Sequence, residues 1–290
     1  MFQPAPARTA ALTATLGAAL LLAGCAGGPG LERRYLAGFA EAERTVRTFP
    51  AASEVAPGLT LDAAYRLQAR IGRARLARGD RVVGYKGGLM SAKSLSDKHV
   101  TEPLTGVLFA SGDLADGARI SLCDYRRTAL EVKFGYVFAT AVASRVASVE
   151  DLKARVRAVQ PVVELPDIAY RDGDRYSAID MAAANISSAK FVRGAAQPVA
   201  AAALDTLPVT LLKDGAQVTR GVGRDSLGGQ WESLLTVVNL AVAHGGRIGA
   251  GQIVLTGKIG DKVAVTAGAD QADYGPLGSV RFTLIPCPAR

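Results

Sequence analysis

The sequence predicts an α+β domain that is rich in strands and preceded by helices. Helical spacing of apolar residues dominates before residue 80, and short alternating or apolar runs bounded by turns dominate from Val82 onward. Of all residues, 49% are hydrophobic and 21% are charged, a balance typical of globular rather than disordered proteins. The 290 residues suffice for one large domain or two small ones.

The N-terminal segment, residues 1–24, is predicted to be a signal peptide. Arg8 precedes an apolar run over 10–22 that is too short to remain in a bilayer as a spanning helix. The run leads into Leu-Ala-Gly-Cys, which resembles the lipobox of bacterial lipoproteins, whose cysteine carries the acyl chains. We therefore expect export, lipidation at Cys25 with residues 25–30 as a tether, and anchoring at the periplasmic face of the outer membrane. The alternatives are an ordinary secretory signal and a misassigned start codon of a cytoplasmic enzyme.

The charge pattern and the cysteines limit the partners that the chain can have. The formal charge is +8, but the arginines are spread over helix faces without a basic cluster interleaved with aromatics, so we expect no nucleic-acid partner. Besides Cys25, the chain has Cys123 and Cys287, and no Cys-x-x-Cys or His/Cys cluster indicates zinc. In an oxidising compartment this pair is a disulfide candidate, although sequence alone leaves the pairing open.

Two helices are predicted before the first strand, over 31–48 and 61–78. Thr60 can cap the start of the second helix, and Gly79 can end it. We assign residues 31–80 to an N-terminal helical subdomain. The second helix carries one apolar stripe, formed by Ala64, Leu67, Ile71 and Ala74.

The central part of the chain is predicted to contain three strands and one helix. A short strand covers 82–86, and residues 130–138 alternate strictly between two faces. The capping box Ser-x-x-Asp at 148–151 predicts an amphipathic helix that continues until Pro161 ends it. A buried strand is predicted over 162–165.

The C-terminal part is predicted to contain a hairpin, a helix and three further strands. Asp214-Gly215 between two apolar runs is a strong hairpin signal, whereas the alanine-rich 195–204 is predicted to be a loop. An apolar face predicts a helix from Trp231 to His244. The three strands are expected at 252–256, 262–266 and 279–284.

Glu131 and Glu164 each stand inside an otherwise apolar strand. An unpaired carboxylate in a sheet core would cost several kcal/mol, so both are expected to be paired, hydrogen-bonded or metal-bound. Oxygen ligands of this type suit Mg²⁺ or Mn²⁺. The alternative is that each glutamate faces solvent on a half-exposed sheet.

Five motifs occur in order over two hundred residues and carry a family resemblance. The motifs are Gly84-Tyr85-Lys86-Gly87-Gly88-Leu89, Glu131-Val132-Lys133-Phe134, Pro161-Val162-Val163-Glu164, Ala183-Ala184-Asn185-Ile186-Ser187 and Leu255-Thr256-Gly257. With them, the chain from about Val83 to Phe282 resembles the 2-hydroxypenta-2,4-dienoate hydratase and 4-oxalocrotonate decarboxylase branch of the fumarylacetoacetate hydrolase superfamily.

The resemblance implies a fumarylacetoacetate-hydrolase-like mixed β-sheet roll, with residues 81–290 as a hydratase-like catalytic domain that can assemble into homo-oligomers. In the family, a Glu-x-Glu strand and a later Glu hold one divalent cation, Mg²⁺ or Mn²⁺. The cation chelates a small oxo-acid and stabilises its dienolate by neutralising charge. Carried over to this chain, the resemblance implies catalytic roles for Lys86, Glu131 and Glu164, with both glutamates as metal ligands. It implies substrate contacts for Asn185, Thr256 and Gly257, to which we add Lys133 and Lys258.

Three positions depart from the family pattern, and Lys133 is the most consequential of them. It replaces the second carboxylate of Glu-x-Glu, whereas Ala184 replaces an Asp and Lys258 replaces a small or hydroxylic residue. Side chains at i and i+2 of a strand share a face, and an ammonium cannot ligate a cation. Divalent binding is therefore expected to weaken by orders of magnitude.

Two roles remain open for Lys133: it either helps to hold an oxo-acid carboxylate or only neutralises Glu131 and Glu164 in an inactive site. Two hypotheses of function follow. The first is a hydratase-type lyase that acts on a small 2-oxo or 2-hydroxy dienoic acid with an altered metal site. The second is a non-catalytic envelope lipoprotein that binds small carboxylic acids or a protein partner.

Overall fold

The computed structural model describes residues 29–170 and 175–288. The predicted signal peptide and Cys25 lie outside the described residues. Within the described part, no helix has the length and apolarity that crossing a membrane requires.

Seven α-helices are present in the described ranges, and the two longest lie at the N-terminus. The helices predicted over 31–48 and 61–78 are confirmed, and the Thr60 hydroxyl caps the second by accepting the Ala63 N–H at 3.3 Å. The helices are α1 (Pro29–Thr45), α2 (Ala52–Val55), α3 (Leu61–Ala77), α4 (Ala92–Asp97), α5 (Val149–Lys153), α6 (Ala178–Ala183) and α7 (Gln230–Ala243).

The strands form two sheets. Eight strands belong to the larger sheet, in the order β2-β1-β10-β5-β6-β7-β3 with β11 also paired to β5, and five form the order β4-β13-β12-β8-β9. The strands are β1 (Val82–Gly88), β2 (Leu104–Phe109), β3 (Asp113–Ala115), β4 (Ala118–Ser121), β5 (Ala129–Phe138), β6 (Val156–Leu165), β7 (Lys190–Arg193), β8 (Pro208–Lys213), β9 (Ala216–Val222), β10 (Ile253–Leu255), β11 (Ile259–Ala264), β12 (Gly268–Asp273) and β13 (Ser279–Ile285).

The main core lies between the two sheets and beneath α7. Phe134 and Val163 of the larger sheet share one cluster of buried side chains with Val280 and Phe282 of the smaller sheet. The predicted hairpin joins β8 to β9, where Asp214-Gly215 has the positive φ angles, 47° and 84°, that such two-residue turns require.

The helix predicted from the capping box at 148–151 is wrong beyond its first turns. The Ser148 hydroxyl does cap α5 by accepting the Asp151 N–H at 3.1 Å, but the helix ends at Lys153 and β6 begins at Val156. Val156 and Val159, which suggested a longer helix, are β-branched and lie in β6 instead, where Val159 is fully buried. Pro161 does not interrupt the strand, and its carbonyl accepts the Gly194 N–H at 2.9 Å.

A second core connects the N-terminal helices to the rest of the chain. Tyr35, Phe39 and Leu67 of α1 and α3 belong to one buried cluster with Ala182 and Ile186. The segment that follows α6 is thereby packed between the helices and the larger sheet. One side of this segment faces the cavity described below.

Candidate active site

Four charged side chains converge beneath one cavity. Glu131 and Lys133 project from β5, Glu164 from β6 and Lys86 from β1. Glu131 stands directly opposite Glu164 in the antiparallel β5–β6 pair, which places their side chains on the same face. Since Lys133 is two residues from Glu131, it lies on that face as well.

Glu164 is shared by two ammonium groups. Lys133 Nζ lies 2.7 Å from Glu164 Oε2 and 3.3 Å from Glu131 Oε2. The contact with Glu164 is an ion pair whose angle does not meet hydrogen-bond geometry. It also donates to the Gly87 carbonyl at 3.4 Å. Lys86 Nζ donates to Glu164 Oε1 and, at 3.0 Å, to the Ile186 carbonyl.

Burial and pairing set the protonation of the cluster. Lys86 and Lys133 are each 2% exposed and Glu164 is 1% exposed, so solvent screens these contacts little. Burial, helped by the charge of Lys133, lowers the pKa of Lys86 despite the Glu164 carboxylate. Burial also acts to lower the pKa of Lys133, but Glu164 and Glu131 outweigh it and raise this pKa above its ordinary value.

Glu131 is the more accessible carboxylate, with 18% of its side chain exposed. Burial acts to raise its pKa, but the charges of Lys133 and Lys86 outweigh burial, and the pKa of Glu131 lies below its ordinary value. The environment therefore favours the ionised form of Glu131 and the protonated form of Lys133. Lys86 is the lysine of the pair that releases a proton more readily.

The cavity above the cluster has a volume of about 270 Å³ and is lined by more lysines than carboxylates. Lys86, Glu131 and Lys133 line it, whereas Glu164 lies behind them. Three further lysines and two carboxylates line the rest of the cavity: Lys98, Lys258, Lys262, Asp97 and Asp225. Apolar contacts come from Leu89, Met90, Ile168, Met181 and Ile186.

At Gly87 and Gly257, which line the cavity, the backbone lies close to neighbouring side chains. A Cβ on Gly87 would lie 2.7 Å from Val237 Cγ2, and one on Gly257 would lie 2.5 Å from Ser226 Oγ. The Gly257 N–H donates to that Ser226 hydroxyl at 3.0 Å. A side chain at either position would force these neighbouring side chains to shift.

The segment Asn185–Ser187 has three successive left-handed residues, with φ of 54°, 49° and 55°. Such a run is costly, above all for the β-branched Ile186. Asn185 holds it by accepting the Val107 N–H at 2.7 Å and donating to the Val107 carbonyl at 2.8 Å. The Ile186 carbonyl is thereby presented to Lys86.

Two residues expected to bind substrate lie elsewhere. Asn185 was expected to contact the ligand, but it does not line the cavity because its amide is engaged by the β2 backbone. Thr256 is fully buried, and its hydroxyl lies 2.8 Å from Gln230 Oε1. Gly257 and Lys258 do line the cavity, although Lys258 is exposed and donates to the Gly260 carbonyl at 2.7 Å. Asn185 and Thr256 share one feature, since their polar groups satisfy backbone and core partners.

Several contributing residues were missed from sequence. Lys98 and Lys262 line the cavity, and Tyr274 lies behind the cluster. The Tyr274 hydroxyl lies 2.9 Å from the Lys133 carbonyl and 2.7 Å from that of Val162, so it bridges β5 and β6. Charged loop residues and a lone aromatic carry no periodic signal, and only the fold brings them here.

The cluster combines two carboxylates with two ammonium groups. In the described ranges 29–170 and 175–288, no group of three or more His, Cys, Asp and Glu side chains could hold a metal ion. The position between Glu131 and Glu164 is taken by the Lys133 ammonium. A divalent ion about 4 Å from it would be repelled by about 8 kcal/mol at an effective dielectric constant of about 20.

Away from the cavity, the structure joins Cys123 and Cys287 in a disulfide, with their Cα atoms 5.2 Å apart. Cys123 follows β4 and Cys287 follows β13, which are parallel neighbours in the smaller sheet. The bridge therefore links the C-terminal tail to the turn that leads into β5.

The chain is similar in sequence to two kinds of enzyme, although no protein-family model matches it. The 2-keto-4-pentenoate hydratase of Burkholderia vietnamiensis is 33% identical over 248 residues, which cover 84% of this chain and 94% of the hydratase. The 4-oxalocrotonate decarboxylase of Pseudomonas sp. (strain CF600) is 30% identical over 228 residues, which cover 78% of this chain and 86% of the decarboxylase.

Solved structures agree with these relatives. The 4-oxalocrotonate decarboxylase from Pseudomonas putida G7, complexed with magnesium and adipate, has a TM-score of 0.84 at 28% identity and covers 89% of this chain and 98% of its own. A putative fumarylacetoacetate hydrolase family protein from Yersinia pestis CO92, at a TM-score of 0.55 and 15% identity over 69% of this chain and 92% of its own, supports the fold alone. The predicted fumarylacetoacetate-hydrolase-like α+β fold is confirmed. The chain belongs to the 2-keto-4-pentenoate hydratase and 4-oxalocrotonate decarboxylase branch of the fumarylacetoacetate hydrolase superfamily.

Proposed function

We propose that this protein is a hydratase-type lyase that acts on a small 2-oxo or 2-hydroxy dienoic acid. The observation that carries the proposal is the buried Lys86–Glu164 pair beside Glu131 at the bottom of a cationic cavity. The similarity to a 2-keto-4-pentenoate hydratase supports the same substrate class.

The environment of each residue in the cavity indicates its role in the proposed reaction. The cavity lysines attract the acid, and the apolar contacts exclude water from its carbon chain. Lys86 and Glu131 are the two proton-transfer groups that line the cavity. A proton leaves the enol oxygen and another is added at the far end of the diene, after which water adds across the remaining double bond. Glu164 and the Ile186 carbonyl hold the Lys86 ammonium in place.

The proposal includes an altered metal site. By resemblance, Glu131 and Glu164 would be ligands of Mg²⁺ or Mn²⁺, and such an ion would stabilise negative charge on the bound enolate. Lys133 opposes this because its charge lies 2.7 Å and 3.3 Å from the two carboxylates. We expect divalent binding to be much weaker than in the magnesium-complexed relative.

Loss of the dienol absorbance of 2-hydroxypenta-2,4-dienoate tests the proposed activity. We expect turnover by the wild type and at least about a 100-fold loss for Lys86→Met, because general acid–base groups contribute about 10²–10⁴-fold. Lys153→Met is the matched control, since Lys153 is half exposed and does not line the cavity. No turnover by the wild type, or equal loss in both variants, would contradict the proposal.

The second candidate function is a non-catalytic envelope protein that binds small carboxylic acids or a protein partner. It is favoured by the engagement of Lys133 with both carboxylates, the residues that would otherwise hold a catalytic metal ion. A thermal-shift screen of oxo-acids separates the candidates, because ligand stabilisation without turnover would favour the binder.

We also propose that the protein is exported and lipid-anchored through Cys25. The disulfide between Cys123 and Cys287 supports this location, since such bonds persist mainly in oxidising compartments. Labelled palmitate should be incorporated by the wild type and by Cys123→Ser but not by Cys25→Ser. Equal labelling of the wild type and both variants, or labelling of none of the three proteins, would contradict anchoring at Cys25.

A further inference from the structure

We propose that the Lys133 ammonium is the resident cation of this site and that the cavity binds its small carboxylic acid without any divalent metal. The class of ligand rests on the proposed function. The absence of a metal requirement rests on the geometry of the cluster.

The first argument is the position of the ammonium between its acceptors. Lys133 has three N–H donors, and three acceptors lie within 3.4 Å: one oxygen each of Glu131 and Glu164, and the Gly87 carbonyl. The ammonium therefore bridges the two carboxylates, as a shared cation would. Its place is fixed, because Lys133 is 2% exposed and its strand is tied to β6 through the Tyr274 hydroxyl.

The second argument is the balance of charge. The ammoniums of Lys86 and Lys133 and the carboxylates of Glu131 and Glu164 sum to zero. A divalent ion added here would leave two positive charges in a buried cluster with no carboxylate to compensate them. Such uncompensated charge is strongly unfavourable away from water.

The third argument concerns what the cavity offers to an acid. Lys98, Lys258 and Lys262 line it above the neutral cluster. Asp97 pairs with Lys93 at 2.6 Å, and Asp225 Oδ2 accepts two backbone N–H groups. Lys98 and Lys258 donate to the carbonyls of Tyr176 and Gly260, at 2.6 Å and 2.7 Å, which leaves their positive charges uncompensated by those contacts. A small carboxylate is thus attracted by lysine ammoniums rather than chelated through a metal.

Calorimetry on the wild type tests the proposal without any substitution. The probe is 2-oxopentanoate, a saturated acid of the proposed class, titrated once in EDTA and once in excess MnCl₂. We expect dissociation constants within about threefold of each other, and no saturable binding of MnCl₂ alone. Binding of the acid only with Mn²⁺, saturable binding of Mn²⁺ itself, or no binding of the acid in either buffer would overturn the proposal.

A gain of metal binding provides the second test. Lys133→Glu would place a third carboxylate beside Glu131 and Glu164, and we expect Mn²⁺ to bind at least about 100-fold more tightly and to raise the Tm. Lys258→Glu is the matched control, because it makes the same charge change at an exposed position of the same cavity. The role of Lys133 would be refuted if the wild type bound Mn²⁺ as tightly as Lys133→Glu does. It would also be refuted if Lys258→Glu gained as much Mn²⁺ affinity as Lys133→Glu.

The two proposals fail in different ways. A wrong proposed function appears as absence of turnover, whatever the metal content. A wrong inference appears in the calorimetry, as a metal requirement for binding of 2-oxopentanoate, as saturable Mn²⁺ binding or as no binding of the acid, whether or not turnover occurs. The calorimetric arm uses only the wild-type chain, so it stands even where Lys133→Glu fails to fold.

Discussion

Removing the charge of Lys133 should destabilise this protein more than almost any other single charge removal. Lys133→Met keeps most of the side-chain length but leaves Glu131 and Glu164 with Lys86 as their neighbouring ammonium. The gross attraction at 2.7 Å and 3.3 Å is about 5–6 kcal/mol per contact at an effective dielectric constant of about 20. Desolvation offsets part of this, and breaking a buried pair typically costs about 3–5 kcal/mol.

A loss of that size is a large fraction of the folding free energy of an ordinary domain, which is about 5–15 kcal/mol. Urea unfolding at neutral pH, with the disulfide intact, measures it. The control is Lys93→Met, which breaks an ion pair of 2.6 Å whose side chains are 83% and 54% exposed. We expect the control to lose at most about 0.5 kcal/mol. A loss for Lys133→Met no larger than that of the control would refute the assignment of Lys133 as a buried counter-ion.

The stability difference between the wild type and Lys133→Met should also depend on pH. The pKa of Glu131 is lowered in the folded protein, so its pairing stabilises the fold above the unfolded pKa, about 4.3, and is lost as pH falls through the folded value. The pKa of Lys133 is raised, so its contribution is complete below the unfolded pKa, about 10.4, and is lost as pH rises through the folded value. The stability difference between wild type and variant should therefore be flat from about pH 6 to 9 and shrink outside that window. A difference that grows on acidification would contradict this.

Three further predictions concern the surroundings of the site. Asn185→Ala should lower stability by about 1–3 kcal/mol because it leaves the β2 backbone unpaired, and Asn185→Asp should restore part of the loss measured by thermal unfolding. Reducing the disulfide between Cys123 and Cys287, or replacing both cysteines by Ser, should lower the free energy of unfolding by about 2–5 kcal/mol, because the disulfide closes a loop with a sequence separation of 164. An unchanged Tm would contradict this. Gly257→Ala should cost about 1–3 kcal/mol because its Cβ would lie 2.5 Å from a hydroxyl, whereas Gly72→Ala, with 3.7 Å to its nearest neighbour, should not destabilise.

Local sequence patterns predicted most of the elements. The helix stripe of α3, the strict alternation of β5 and the Asp-Gly turn between β8 and β9 are encoded within a few neighbouring residues, so each formed where it was expected. The failure at β6 has the opposite origin. Valines at 156 and 159 fit a helical stripe as well as a strand, and pairing with β5 decides between them.

By itself, the sequence determined the family, the α+β class and the chemical identity of the cluster, because the charges of Glu131, Lys133 and Glu164 stand inside apolar runs. Tertiary structure decided how these charges are paired, since the register of β5 against β6 sets Glu131 opposite Glu164 and places Lys133 beside both. It also removed Asn185 and Thr256 from the cavity and added Lys98 and Lys262. The physical reason is that pairing energies depend on distances between side chains far apart in the chain, and only the packed sheets and loops define those distances.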